Sequence, residues 1–355
     1  MIAARTFAES PEVPANPIVV EVTRGPLVES RHRGALAIAD GEGRILLSVG
    51  DTRLPVFPRS AVKALQALPL VEGGGADAFE FTPAEIALAC SSHNGEPAHV
   101  ETARSMLARA GLDESFLECG PQAPARDEDR FALRQAGRVP GRIHNNCSGK
   151  HAGMLALAIH MGVDPKGYST ADHPVQRRVR RAMEEMTGSA LSADRCGIDG
   201  CSIPTWAAPL GAWAVAFAKV ATGQGVDEKR AVALKRIREA CAAHPFMVAG
   251  TGRFCTRMME RAGPQAFVKT GAEGVFCAAF PDTGLGVALK VDDGASRASE
   301  ALMAAIVSDC AGLDGSRRAA VAPMAGPPVT NRMDLQVGEI RVADDILARI
   351  AAVMR

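Results

Sequence analysis

Strand-like runs occupy both ends of this chain, and the long stretch between them carries a helical period. Residues 18–24 read as a strand, and 35–39 and 44–49 flank Asp40-Gly41-Glu42-Gly43, a hairpin turn signal. From Pro58 to about Gly263 the apolar spacing is helical. The reading switches back to strands over 266–270, 274–280 and 286–292, followed by a helix near 295–311, a late strand over 335–342 and a terminal helix. The first and last strands most economically share one antiparallel sheet. The expected architecture is therefore α/β (α+β). Residues 1–56 and 264–355 form the sheet with flanking helices, and a mainly helical region, 57–263, is inserted between them. Residues up to about Asn16 read as a loose leader.

The boundary between sheet and helical region carries the chemistry. Phe57-Pro58-Arg59-Ser60-Ala61-Val62-Lys63 places a proline just before a helix, then a hydroxyl in its first turn and an amine three residues on, sharing its face. That helix is expected to stop at Pro69. A hydroxyl under an amine at a helix N-terminus combines a nucleophile, a possible base and a partly positive dipole. Alone, S-x-x-K is a weak signal. Two further fragments complete a set: Ser92-His93-Asn94 is S-x-N, and Lys269-Thr270-Gly271 is K-T-G on an expected strand. In that order they are the signatures of penicillin-recognising serine enzymes.

Along the inserted region, Thr82-Pro83-Ala84-Glu85 is a capping box that starts a helix leading into the Ser92 loop. Further helices are expected at 97–110, 174–187, 207–221, 227–242 and 253–262, with a Pro-rich charged connection over 120–141. His144-Asn145-Asn146-Cys147-Ser148-Gly149-Lys150-His151 is a dense polar knot opening a helix that runs to Met161, and Cys196-Gly197-Ile198-Asp199-Gly200-Cys201 reads as a Gly-rich loop.

Composition narrows the class. Hydrophobic content of 47% and zero net charge fit a globular protein with no electrostatic footprint for nucleic acid or an anionic membrane. One tyrosine and two tryptophans argue against a base-stacking platform. No apolar run reaches the roughly 18 residues of a membrane span. Nine cysteines, an odd number with no apolar signal core at Met1-Ile2-Ala3-Ala4-Arg5, point to free thiols and a cytoplasmic address.

The strings around Ser60, Ser91-Ser92-His93-Asn94-Gly95-Glu96, Asn145–His151 and Gly197–Cys201 resemble the asparaginase II family typified by rhizobial L-asparaginases. The resemblance runs from about Ile18 to Val291. It implies a serine β-lactamase-like fold that hydrolyses the side-chain amide of L-asparagine, with Ser–Lys pairs carried here by Ser60 with Lys63 and Ser92 with Lys269. It also implies one Zn2+ per chain, held by Cys147, Lys150 and Cys201, in a supporting rather than catalytic role. A homodimer is the expected assembly.

Amide hydrolysis through Ser60 needs a base, and a lysine with an ordinary pKa is only about 0.04% neutral at pH 7. Lysine 63 is the expected base, its pKa lowered by burial and by nearby cations such as Lys269 and Arg59. Ser92 would shuttle the proton between the lysines and toward the leaving nitrogen. The N–H of Ser60 and one at Gly271 or Ala272 would bind the oxyanion. Arg59 is the expected partner of the substrate α-carboxylate and Asp199 of its ammonium, and Asn94 and His93 could position the amide. The alternatives are a glutaminase or another penicillin-recognising-type acyl hydrolase, or a non-catalytic zinc-binding regulatory protein.

Overall fold

The computed structural model describes residues 15–354. The expected leader lies outside these except for Ala15 and Asn16. The chain opens with β1 (Ile18–Arg24), β2 (Leu27–Ala39), β3 (Ile45–Val49) and β4 (Pro55–Val56). The helices α1 (Lys63–Glu72), α2 (Gly75–Ala78), α3 (Pro83–Ala89), α4 (Pro97–Arg109), α5 (Asp127–Gln135), α6 (Ser148–His160) and α7 (Pro174–Thr187) follow. The short strands β5 (Cys196–Ile198), β6 (Pro204–Trp206) and β7 (Ala208–Pro209) precede α8 (Leu210–Thr222), α9 (Glu228–Ala243), α10 (Pro245–Ala249) and α11 (Phe254–Ala262). Then come β8 (Phe267–Thr270), β9 (Val275–Phe280), β10 (Leu285–Val291), α12 (Ser296–Cys310), α13 (Gly315–Val321), β11 (Pro328–Thr330), β12 (Gln336–Val342) and α14 (Asp344–Ala351).

As the strand-like runs at both ends predict, N- and C-terminal strands form one antiparallel sheet in the order β11-β12-β1-β2-β10-β9-β8, with β3 added to β2. The join is the pairing of β2 with β10, which sets Leu36 opposite Leu289 and Ile38 opposite Val287. The hairpin turn forms as its residues require: Asp40 Oδ1 accepts from the N–H of Glu42 and of Arg44, and Gly43 takes φ +83°. Strands β9 and β10 are almost continuously apolar and buried, the pattern of a sheet covered on both faces. Helix α8 crosses β10 closely enough that a Cβ on Gly286 would stand 1.9 Å from the Ala218 nitrogen. Helix α12 packs against β1, β9, β10 and β12.

Three local expectations change. Pro69 does not stop the first helix, which continues to Glu72. Residues Lys63 to Val71 are all buried there against α6, α7 and α9, and that burial offsets the roughly 3 kcal/mol an interior proline costs. The connection over 120–141 contains α5, none of whose residues is buried. The Gly-rich string is the first strand and turn of the β5–β6 hairpin, in which Gly197 pairs with Thr205. No helix among the described residues is long and apolar enough to cross a membrane.

Candidate active site

Strand β8 is the edge of the sheet that meets the helical region, and this puts Lys269 against the turn that carries Ser60. That turn, Arg59–Val62, is a single 3-10 turn rather than the start of α1. Arg59 enters it at φ +51°, a left-handed conformation that costs a non-glycine residue about 1 kcal/mol and is held by its surroundings. Gly271 follows β8 and lies so close that a Cβ there would stand 2.7 Å from the Pro58 carbonyl oxygen and 3.1 Å from the Ala61 nitrogen. Only glycine lets the strand end approach the Ser60 turn this closely. The Gly271 N–H is engaged by the Val275 carbonyl, whereas the N–H groups of Ser60 and Ala272 have no hydrogen-bond partner among the described residues.

The Ser92 loop leaves α3, whose start is the capping box expected from Thr82 and Glu85. Two backbone bonds fix it: Ser92 N–H donates to the Val248 carbonyl and His93 N–H to that of Asn146, at 2.9 and 3.1 Å. Ser92 Oγ accepts from Lys63 Nζ and from Lys269 Nζ, each at 2.9 Å. Lys63 also donates to the Ser91 carbonyl and to Cys147 Sγ, the latter at 3.1 Å. Both lysines are about 1% exposed or less. The expected pairing of Ser92 with Lys269 is made, but among the described residues no hydrogen bond joins Lys63 to Ser60. The 3-10 turn offsets Ser60 from the axis of α1, and Ser91, Ser92 and Cys147 saturate the Lys63 amine. Burial, reinforced by the charge of Lys63, pushes Lys269 down to about 7.

Behind Lys63 the polar knot closes up. Cys147 and Cys201 lie close enough to influence each other's ionisation, and Lys150 Nζ donates to Cys201 Sγ at 3.0 Å. Cys201, with Lys63 and Lys150, holds the Cys147 thiol well below its ordinary value despite burial. Burial disfavours the Lys150 charge, but Cys201 and Cys147 outweigh it and raise its pKa. The three residues expected to hold zinc thus converge. Ligands at 2.0–2.3 Å from a tetrahedral zinc stand about 3.5 Å apart, so a small expansion of this cluster fits the ion once Lys150 loses its proton. His151, beside Lys150, has a buried Nε2 without a hydrogen-bond partner among the described residues, while its Nδ1 meets the Tyr168 hydroxyl. No group of three or more His, Cys, Asp or Glu converges among the described residues; this set contains two cysteines and a lysine.

The residues expected to grip substrate are placed differently. Arg59 and Asp199 bind each other, Nε and Nη2 reaching Asp199 Oδ1 at 2.9 and 2.8 Å. Burial opposes the Asp199 charge, yet Lys150 and Arg59 keep its carboxyl below the usual range. His93 has both nitrogens occupied, Nδ1 accepting from Gly95 N–H and Nε2 donating to Ser148 Oγ. Burial and the neighbouring His99 hold it neutral. Asn94 donates to the Thr251 carbonyl and to Glu96 Oε1, and accepts from Arg253. Both side chains therefore brace the loop. Glu96 and Arg253 were not singled out from sequence; Glu96 stands inside the Ser92 string, but nothing local marks Arg253. A surface cavity of about 520 Å3 lies elsewhere, between α7 and α9.

Comparison with solved structures finds Mglu in its glutamate form, 15% identical with a TM-score of 0.44, over 79% of this chain and 59% of that one. Mglu in its tris and glutamate form is 17% identical with a TM-score of 0.44, over 81% and 61%. A β-lactamase from Mycobacterium bovis is 13% identical with a TM-score of 0.40, over 84% and 96%. The chain thus spans about three fifths of the Mglu structures it matches. A search of curated proteins gives no match. The family model for L-asparaginase II matches residues 20–342, which takes in the Ser60 turn, the Ser92 loop, the Cys147–Cys201 cluster and β8 with Lys269. With nearly the whole chain and every element of the site inside that match, the chain belongs to the L-asparaginase II family.

Proposed function

We propose that the protein hydrolyses the side-chain amide of L-asparagine to L-aspartate and ammonia, with Ser60 as nucleophile. The observation that carries this reading is the Ser92 hydroxyl held at 2.9 Å by two buried lysines, one of them with a pKa of about 7. Near neutral pH Lys269 is about half unprotonated, so the base role expected of Lys63 passes to Lys269. The Ser60 proton passes by way of Ser92 to the Lys269 amine as Ser60 Oγ bonds to the amide carbon. The same proton returns to the leaving nitrogen as the C–N bond breaks, releasing ammonia and a β-aspartyl ester. Water then cleaves the ester by the reverse relay. The free N–H groups of Ser60 and Ala272 support an oxyanion hole, worth roughly 3–4 kcal/mol per donor.

Asp199 receives the substrate ammonium, and Arg59 holds that carboxylate in place. Cys147, Lys150 and Cys201 would hold zinc, which would supply a fixed positive charge tying the start of α6 to the Asp199 turn. The test is ammonia release from L-asparagine and L-glutamine by purified protein, with Ser60→Ala as control. Release from asparagine that disappears in the variant is expected. Equal turnover of both amides would favour the glutaminase reading, and no release from either would end the amidohydrolase reading.

A further inference from the structure

The pairing of Arg59 with Asp199 leaves the substrate's α-carboxylate without a partner, since Arg59 is already bound to a carboxylate. One guanidinium near the lysines lacks such a partner. Arg253 ends the loop between α10 and α11, and no carboxylate lies within ion-pair distance of it among the described residues. Its single hydrogen bond runs from Nη1 to Asn94 Oδ1 at 3.2 Å, which leaves the rest of its donor fork free. Glu300 on α12 lies close enough for the Arg253 charge to favour its ionised form, but the two make no ion pair among the described residues.

The loop that presents Arg253 is rigid for stated reasons. Glu96 accepts from both the N–H and the hydroxyl of Thr251 at 2.7 Å, and pairs with Arg126 at 3.1 Å. Gly250 takes φ +107° and packs so closely that a Cβ would stand 2.6 Å from Glu96 Oε1. On one side the loop is joined to Asn94, two residues from Ser92. On the other, Cys255 Sγ accepts from the N–H of Thr270, next to Lys269. Arg253 is therefore fixed where the Ser92 loop and the end of β8 meet. Arg253 is half-buried.

We propose that Arg253 is the cation that binds the α-carboxylate of the substrate, opposite the ammonium held by Asp199. The assignment rests on the amidohydrolase reading above. A planar fork with free donors matches a carboxylate bidentately, and such bonds are about twice as strong as neutral ones. A preformed arginine also separates amino-acid amides from simple amides, because an amide without the anion leaves the guanidinium unpaired.

The experiment compares Arg253→Gln, Arg253→Lys and Arg59→Gln with wild type in asparagine hydrolysis, with thermal melts to establish folding. Gln at 253 retains a donor for Asn94 while removing the charge. Arg253→Gln should raise KM for asparagine, and the inhibition constant of the product aspartate, together by about 10- to 100-fold, with kcat falling less than about threefold. Arg253→Lys should recover part of that loss. A fall in kcat with KM and product inhibition unchanged would make Arg253 only a brace for Asn94, and the assignment would be overturned. So would a rise in KM seen in Arg59→Gln but not in Arg253→Gln. Wild-type protein that releases ammonia from neither asparagine nor glutamine would overturn the amidohydrolase reading itself, and this assignment with it.

Discussion

Among the described residues the Ser60 hydroxyl carries no hydrogen bond, whereas that of Ser92 accepts two from lysines; the chemistry depends on which hydroxyl reacts. Ser60→Ala should leave less than about a tenth of wild-type activity with an unchanged melt, because only one half-buried hydroxyl is lost. Retained activity would transfer the nucleophile to Ser92. Lys63→Met and Lys269→Met should each lose at least about two decades in kcat/KM. With Lys269 at about 7, kcat/KM should rise with pH through that value as the amine is freed, and a flat profile from pH 6 to 9 would remove Lys269 as base. Stability should respond in the same window. The folded pKa of about 7 lies below the ordinary lysine value of 10.5, so between these values the unfolded chain binds the extra proton. The wild-type unfolding free energy should therefore climb relative to Lys269→Met as pH rises from 7 toward 10, by at most about 1.4 kcal/mol per unit. At pH 7 the methionine variant should be the more stable protein and the less active one.

Helix α8 and strand β10 show how an element can depend on the absence of an atom. Gly286 faces the α8 backbone, where a Cβ would fall 1.9 Å from the Ala218 nitrogen and 2.3 Å from the Ala214 oxygen. Backbone on both sides cannot rotate away as a side chain could. Gly286→Ala should therefore cost about 3 kcal/mol or more, read as a lower midpoint in urea, because the whole helix must move off the sheet. A change under about 1 kcal/mol would mean that α8 can slide without loss. The contrasting element is α5, which buries none of its residues. Its attachment relies on Arg126 meeting Glu96 and on the Ala125 N–H bonding the Asn94 carbonyl.

Across the whole molecule, the cluster of Cys147, Lys150 and Cys201 joins a helix start in the inserted region to the β5–β6 turn, with Cys201 51 residues beyond Lys150. If it holds zinc, native mass spectrometry should find about one ion per chain, lost in the Cys147→Ala, Cys201→Ala double variant. That variant should bind asparagine more weakly yet turn it over at saturation, because the serine and lysines are untouched. Complete inactivity at every concentration would make the metal part of the chemistry, and zinc-free native protein would dismiss the site. The plan of the molecule was legible in the sequence because its signals are local. Short apolar, β-branched runs mark β1, β2 and β8–β10, the Asp40–Gly43 turn fixes a hairpin, and α7 runs over Pro174–Thr187 as its spacing predicts. The candidate groups Ser60, Lys63, Ser92 and Lys269 were also legible, since motif spacing names residues. What spacing could not decide was partnership. Lys63 could turn to Ser60 or to Ser92, Arg59 to a ligand or to Asp199, and Pro69 could end a helix or be carried within one. Each choice is made by burial against residues distant in sequence, and so it is tertiary packing that gave Lys63 to Ser92, closed Arg59 on Asp199 and left Arg253 free beside the lysines.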